Sequence, residues 1–165
     1  MLKEMITVKK AQPSQYGEIE EIYARARSYM RENGNATQWG SVYPPREVIL
    51  SDIESGNLYV LFSDRIEGVF AFVPGEDPTY RIIEGEWQNA LEYCAVHRVA
   101  SAGRIKGMLK AVMDYCFTRC PNIKIDTHEN NVIMQHQLEK YGFKRCGIIR
   151  LENGEPRIAY QMTKE

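Results

Sequence analysis

The segment Arg104-Ile105-Lys106-Gly107-Met108-Leu109 puts two cationic side chains and a glycine where a β-rich run gives way to helical spacing. That combination suits an anion. The opening turn of a helix presents backbone N–H groups without intrahelical partners, and its dipole favours negative charge. Gly107 has no Cβ to hold a ligand away, and Arg104 and Lys106 add two charged donors. A glycine beside basic residues at a helix start also makes a plain solvated turn, and these residues by themselves leave both readings open. The spacing matches neither the GxxxxGK(S/T) of a P-loop nor the three glycines of a dinucleotide fingerprint, since Gly103 and Gly107 fit neither pattern. A pyrophosphate held by another rule fits better.

Elsewhere the chain offers little for metal or redox chemistry. Cys94, Cys116, Cys120 and Cys146 include no CxxC pair and no histidine at zinc spacing, so they read as reduced core thiols and no metal is expected. The formal charge of -1 gives no general attraction for nucleic acid or an anionic membrane, and neither is expected as a partner. No apolar run approaches the ~20 residues that span a bilayer, and Met1 to Lys10 lacks the apolar centre of a secretory signal. A cytoplasmic protein is expected. With 165 residues, 44% hydrophobic and 26% charged, the chain has the size and composition of one globular domain covering 1–165.

The elements that must position the Arg104 to Leu109 segment follow from periodicity. Met5 to Lys10 reads as a first strand, followed by a helix that runs to Gly34 with Ile19, Ile22, Tyr23, Ala26 and Met30 as its buried stripe. Gly34 to Pro45 is aperiodic and carries Trp39 and Tyr43, and Arg46 to Ser55 reads as a short second helix. Asn57 to Ser63 and Arg65 to Val73 form a hairpin, and Leu91 to Ala100 is a further strand after an irregular stretch containing Trp87. From Ile105 to Cys120 the apolar residues progress at i, i+3, i+4, i+7, which predicts a helix. Asn122 to Thr127 is then a strand, parallel to the one before the helix. Asn131 to Tyr141 is a helix stopped by Gly142, and Lys144 to Leu151 with Arg157 to Met162 form a hairpin around Asn153-Gly154.

This order of elements, with the Arg104 to Leu109 segment, is similar to the GNAT superfamily of N-acetyltransferases. The superfamily signature is Q/R-x-x-G-x-G/A. Arg104 fits its first position and Gly107 its central glycine, whereas Leu109 departs from the final small residue. Asn131 and Gly142-Phe143 match a second family element, an Asn opening the next helix and a Gly-Phe closing it. The stretches Asp126-Thr127-His128, Met134-Gln135 and Gly142 to Ile148 also resemble a bacterial subgroup without an assigned acceptor. The resemblance implies an α/β fold, a central mixed but mostly antiparallel sheet with one splayed parallel strand pair, flanked by helices. It implies acetyl-CoA as co-substrate, whose pyrophosphate would lie on Arg104, Ile105, Lys106, Gly107, Met108 and Leu109. The pantetheine arm would run along Val99, Ala100 and Ser101, with Asn131 and Met134 opposite. Asn131 also suits a plain helix cap.

The implied reaction is direct attack of a neutral amine on the thioester, with strand N–H groups stabilising the developing oxyanion. An acceptor ammonium must first lose a proton, and His97 and Glu92 are the nearest candidate bases on the strand. Strict alternation puts them on opposite faces, so at most one faces the thioester unless a bulge re-aims the strand. A histidine's ordinary pKa of ~6.5 suits the task; a hydrogen-bonded structural histidine and a solvated glutamate are the alternatives. His128, beyond the end of the second parallel strand, and the aromatics Trp39 and Tyr43 are the candidate acceptor contacts. Leu138 stands where many family members have an acidic tyrosine, and Tyr141 is the nearest substitute. Expected partners are a small-molecule or amino-acid-like amine and, as an open option, a second copy of the chain in a homodimer. An acyl-CoA-binding module without turnover and a nucleotide-binding α/β protein are the alternative functions.

Overall fold

The computed structural model describes residues 6–164. It contains strands β1 (Thr7–Lys10), β2 (Leu58–Phe62), β3 (Ile66–Pro74), β4 (Glu84–Gly85), β5 (Cys94–Ser101), β6 (Asn122–Thr127), β7 (Lys144–Arg150) and β8 (Pro156–Thr163). The helices are α1 (Tyr16–Glu32), α2 (Arg46–Glu54), α3 (Met108–Arg119) and α4 (Val132–Tyr141). All eight strands form one sheet in the order β1-β2-β3-β5-β6-β8-β7-β4. Every neighbouring pair is antiparallel except β5 and β6, which α3 connects. The expected mixed sheet with one parallel pair is therefore present. None of the described helices is long and apolar enough to cross a membrane.

Alternation along the strands divides the core between the two faces of the sheet. Val96, Ile123 and Ile125 pack with Met108, Leu109, Val112, Met113, Cys116 and Leu138 of α3 and α4. Val60, Val69 and Ala71 pack with Ile19, Ile22, Tyr23 and Ala26 of α1 and with Ile49 and Ile53 of α2. A smaller cluster continues that second face: Tyr80, Ala95, Ile149 and Ala159, with Trp87 and Tyr93 against it. A buried apolar side chain contributes ~1.5–3 kcal/mol, so the five buried on α3 fix that helix far more firmly than its capping does.

Several boundaries differ from those read in the sequence. The proposed start of the first strand, Met5, lies outside the described residues; the strand itself begins at Thr7. The fifth strand begins at Cys94 rather than Leu91, because Leu91 to Tyr93 belong to the largely irregular strap that links β3 to β5 and includes β4. The helix expected from Ile105 begins at Met108. Gly107 is its N-cap in a left-handed conformation (φ 75°), which no side chain accepts cheaply, and Ile105 packs against the core from the preceding loop. The two-residue β4 has too few residues for any periodicity to reveal it.

Candidate active site

The parallel pair is joined for only two register positions, Cys94 with Ile123 and Ala95 with Lys124, and beyond them the strands part. A cavity of about 860 Å³ occupies the gap. Val96, Val99, Ile125 and Met134 line it from the α3/α4 side, and His97, Asp126, Trp39 and Tyr43 from the α1/α2 side. It thus passes through the plane of the sheet.

A bulge in β5 lies beside the gap. Ala71 faces His97 and Val69 faces Ala100, so Arg98 and Val99 together oppose the single residue Phe70. Arg98 has φ 53°, the only positive φ outside glycine among the described residues. Such a backbone costs ~1–2 kcal/mol and persists only when its surroundings hold it. They do so from both ends. Tyr23 Oη donates to the Arg98 carbonyl at 2.9 Å, and the Arg98 guanidinium reaches Asp52 on α2 and the hydroxyl of Tyr43. Burial pushes the Tyr23 phenol far above its usual range, so it remains a donor at any physiological pH.

His97 stands on the cavity wall next to the bulge, with its side chain about one-fifth exposed. Its Nε2 lies 2.9 Å from Asp77 Oδ2, while Asp77 Oδ1 accepts from the Thr79 backbone N–H (2.9 Å) and from Thr79 Oγ1 (2.7 Å). Burial alone would raise the Asp77 pKa, but the donors from His97 and Thr79 outweigh it and hold the carboxyl at about 2. Asp77 is therefore an anion that takes a proton donor on Nε2. The free lone pair of a neutral His97 is then on Nδ1, which is 3.9 Å from Asp126 Oδ2. That same Asp126 oxygen accepts from Tyr80 Oη at 2.6 Å. Burial and the neighbouring Asp126 push the Tyr80 phenol well above its usual range, so it stays protonated.

The strap that carries Asp77 and Tyr80 is fixed on the sheet by its own contacts. Tyr93 Oη accepts from the Asp77 N–H at 2.7 Å, and Trp87 Nε1 donates to the Tyr80 carbonyl at 2.9 Å. Lys124 of β6 lies between the rings of Trp87 and Tyr93, 4.0 and 3.9 Å from their centroids. Each such cation–π contact contributes ~0.5–2 kcal/mol, the upper end where the ammonium is shielded from water.

The loop from α1 to α2 closes the cavity from another side. Trp39 packs edge-on against Tyr23 and tilted against Tyr43, and both loop aromatics line the cavity. Gln38 Oε1 accepts from Asn35 Nδ2 (2.9 Å) and Asn131 Nδ2 (3.2 Å), and the Gln38 carbonyl accepts from Arg157 Nη2 (3.3 Å). This one residue ties the loop to the far wall. Asn131 is indeed the cap of α4, its Oδ1 accepting from the Met134 N–H at 3.1 Å, and it lines the cavity as well.

At the start of α3 a Cβ built on Gly107 meets nothing within 4 Å, so the corner is open to a ligand. Lys106 is exposed there, but Met108 and Leu109 turn their side chains into the core, and only their backbone faces the corner's chemistry. The departure of Leu109 from a small residue is thereby absorbed by the interior. Arg104 differs from expectation: its Nε donates to Glu67 Oε1 (2.9 Å) and its Nη2 to the Ile66 carbonyl (2.6 Å), so the guanidinium is committed to β3. Ala100 is buried on the α1 face, and Ser101 Oγ accepts from the Gly103 N–H; neither lines the cavity.

Three further expectations are corrected. Glu92 is exposed, precedes β5 at the closed end of the strand pair and does not line the cavity, so it is no base for chemistry there. His128 lies behind the cavity wall: its Nδ1 accepts from the Asn130 N–H (2.9 Å) and its Nε2 donates to Thr37 Oγ1 (3.0 Å). Burial and then Arg157 lower its pKa, which keeps this bridging form neutral. Tyr141 Oη is bound to Asp114 (2.8 Å) on the outside of α3, and Leu138 is wholly buried, so neither supplies an acid to the cavity. Sequence reasoning missed Asp77, Asp126, Gln38 and Arg98. Only Asp126 left a signal, as a carboxylate in the last turn of a strand that ends at the gap.

A crystal structure of a GNAT-family acetyltransferase from Streptococcus agalactiae is similar over 97% of this chain and 96% of its own, with 31% identity and a TM-score of 0.86. A GNAT-family acetyltransferase from Listeria monocytogenes shares the fold at 20% identity, with 96% and 94% covered and a TM-score of 0.68. A Salmonella typhimurium protein described as an acetyltransferase, solved with its cofactor acetyl-CoA, shares it at 13% identity, 98% and 95% coverage and a TM-score of 0.61. No protein-family model matches the chain, and no curated protein sequence matches it.

Proposed function

The chain belongs to the GNAT family of acetyltransferases, and we propose that it transfers the acetyl group of acetyl-CoA to the amine of a small acceptor, with His97 as the base. The observation that carries this reading is the parting of β5 and β6 after two register pairs, with His97 on the wall of the resulting cavity and its Nδ1 turned free by Asp77. A protein of the same fold holds acetyl-CoA, which supports the choice of donor.

The open corner at Gly107 and the unpaired N–H groups of the first turn of α3 suit the pyrophosphate, with Lys106 as the available cation and Arg104 bracing the loop through Glu67. Val99 and Met134 line the gap itself, where they suit the pantetheine arm. When bound, acetyl-CoA supplies the activated carbonyl and a sulfur leaving group. His97 Nδ1 accepts the proton that the acceptor nitrogen sheds, and Asp77 stabilises the imidazolium so formed. Beyond Ala95 β5 has no β6 partner, and its backbone N–H groups on that side suit a developing oxyanion. With Leu138 and Tyr141 unable to protonate the sulfur, the thiol leaves as thiolate, which a pKa of ~8.5 permits.

Thiol release from acetyl-CoA in the presence of an amine panel tests this. His97→Ala lowers turnover at pH 7 by about 10²- to 10⁴-fold. Survival within about twofold removes His97 from the role. Leu138 keeps a second reading in view, an acyl-CoA-binding module without turnover, for which acetyl-CoA raises the melting temperature but no amine releases thiol.

A further inference from the structure

The acceptor side of the cavity is unevenly charged. Its lining includes the carboxylates of Asp77, Asp126, Glu152 and Glu155 and the guanidiniums of Arg98 and Arg157. Both guanidiniums are already engaged: Arg98 by Asp52 and Tyr43, Arg157 by Glu155 and by the carbonyls of Pro156 and Gln38. Asp77 is turned to His97 and Thr79. Asp126 is different. It projects from β6 on the same face as His97, its side chain is only 12% exposed, and among the described residues its sole side-chain donor is Tyr80.

The 3.9 Å between Asp126 Oδ2 and His97 Nδ1 is short enough for one nitrogen to lie ~2.8 Å from both at once. Such a nitrogen must bring hydrogens to two acceptors, as an ammonium does and a hydroxyl does not. We propose that Asp126 is the receptor for the acceptor's reacting nitrogen in its cationic form, holding R–NH3+ against His97 Nδ1, and that the acceptor carries no carboxylate beside that nitrogen. This rests on the acetyltransferase reading and narrows it from amino-acid-like acceptors to amines without an α-carboxylate. An α-carboxylate would lie within ~6 Å of Asp126, with no uncommitted arginine to offset the repulsion. Proton balance follows: one N–H proton of R–NH3+ passes to His97 Nδ1, the freed lone pair forms the N–C bond as the C–S bond breaks, and the second proton shed by the nitrogen goes to the departing thiolate, with Asp126 exchanging none. Tyr80 donates its only proton to that oxygen and fixes the carboxylate rotamer, so Asp126 meets the ligand already aimed.

The test uses wild-type protein and Asp126→Asn, whose amide oxygen still accepts from Tyr80. Titration of n-butylamine into either protein saturated with CoA reads the binding step without turnover. Asp126→Asn weakens n-butylamine at least about tenfold, as loss of a hydrogen bond to a charged group requires. In turnover the KM for n-butylamine rises by a similar factor while the KM for acetyl-CoA holds, and O-methylhydroxylamine, uncharged at neutral pH, is affected far less. A change confined to structure would weaken both nucleophiles alike. The wild-type protein alone gives a second arm: glycinamide is acetylated at least about tenfold more efficiently than glycine. Equal binding of n-butylamine by the two proteins, or equal use of glycine and glycinamide, overturns the inference. Failure to bind acetyl-CoA at all overturns instead the function on which it rests.

Discussion

Arg98 meets Asp52 in a fork, Nε to Oδ2 at 2.7 Å and Nη2 to Oδ1 at 3.0 Å, and this pair spans from the bulge of β5 to α2. Burial disfavours the charged guanidinium, yet Asp52 and Tyr43 more than compensate and raise its pKa above the ordinary arginine value. The pair thus pins a strained backbone to a helix on the acceptor side of the sheet.

Asp52→Asn leaves Arg98 charged and incompletely paired in a largely buried position. The expected cost is about 3 kcal/mol in the free energy of unfolding by urea, the usual penalty for removing one member of a buried pair. Turnover falls as well, because the bulge relaxes and moves His97 and the neighbouring N–H groups out of register. A variant with wild-type stability and turnover would show that the bulge needs no such anchor.

Asp77→Asn separates the orientation of His97 from its mere presence. An asparagine amide donates to Nε2 and drives the imidazole proton to Nδ1, the atom that must accept. The expected loss in kcat/KM is about 10²- to 10³-fold with little change in the KM for acetyl-CoA. Retained turnover with an unchanged pH profile would place the base elsewhere.

The same carboxylate makes stability depend on acidity. Asp77 has a folded pKa of about 2 against an ordinary 3.8, so the folded state binds its proton less readily than the unfolded state does. The depressed value means that its contribution is complete above roughly pH 4 and fades as the pH falls towards 2. Urea unfolding between pH 2 and 6 should therefore show the wild-type advantage over Asp77→Asn shrinking on acidification. A difference that stays constant across this range would mean that Asp77 is not held by its donors.

Gly107 bears two separable demands. Gly107→Ala places a side chain at φ 75° in open space, and only the backbone penalty of ~1–2 kcal/mol should appear in the unfolding free energy. Gly107→Asp adds bulk and negative charge at the corner, and calorimetry should find CoA bound about tenfold or more weakly. Unchanged CoA affinity in Gly107→Asp would remove the pyrophosphate from this corner.

Legibility in the sequence followed the range over which each feature is encoded. The stripe on α3, the Asn131 cap and the parallel pair are set by residues within a few turns or one crossover, and all three were readable. His97 was readable as a candidate because it interrupts an apolar strand. Its partner Asp77 was not: it stands 20 residues earlier, in a strap whose path depends on Trp87, Tyr93 and Lys124 meeting across the sheet. Arg104 misled for the same reason. A basic residue beside a glycine announces an anion, whereas the Glu67 that takes its charge lies on a strand 37 residues away. The bulge was allowed for but not located, since nothing local to Arg98 and Val99 favours one; the cause is Asp52 and Tyr23, on elements distant in the chain.

The short join between β5 and β6 has a mechanical side. Strands β1, β2, β3 and β5 form one leaf and β6, β8, β7 and β4 the other, and two rungs at Cys94 and Ala95 hinge them, with Gln38 as a latch across the open end. A thread laid lengthwise between the leaves serves both as a spacer and as a seam. Deuterium uptake along Val96 to Ser101 would then report its departure, slowing while the leaves are sewn together and quickening when the thread is drawn out.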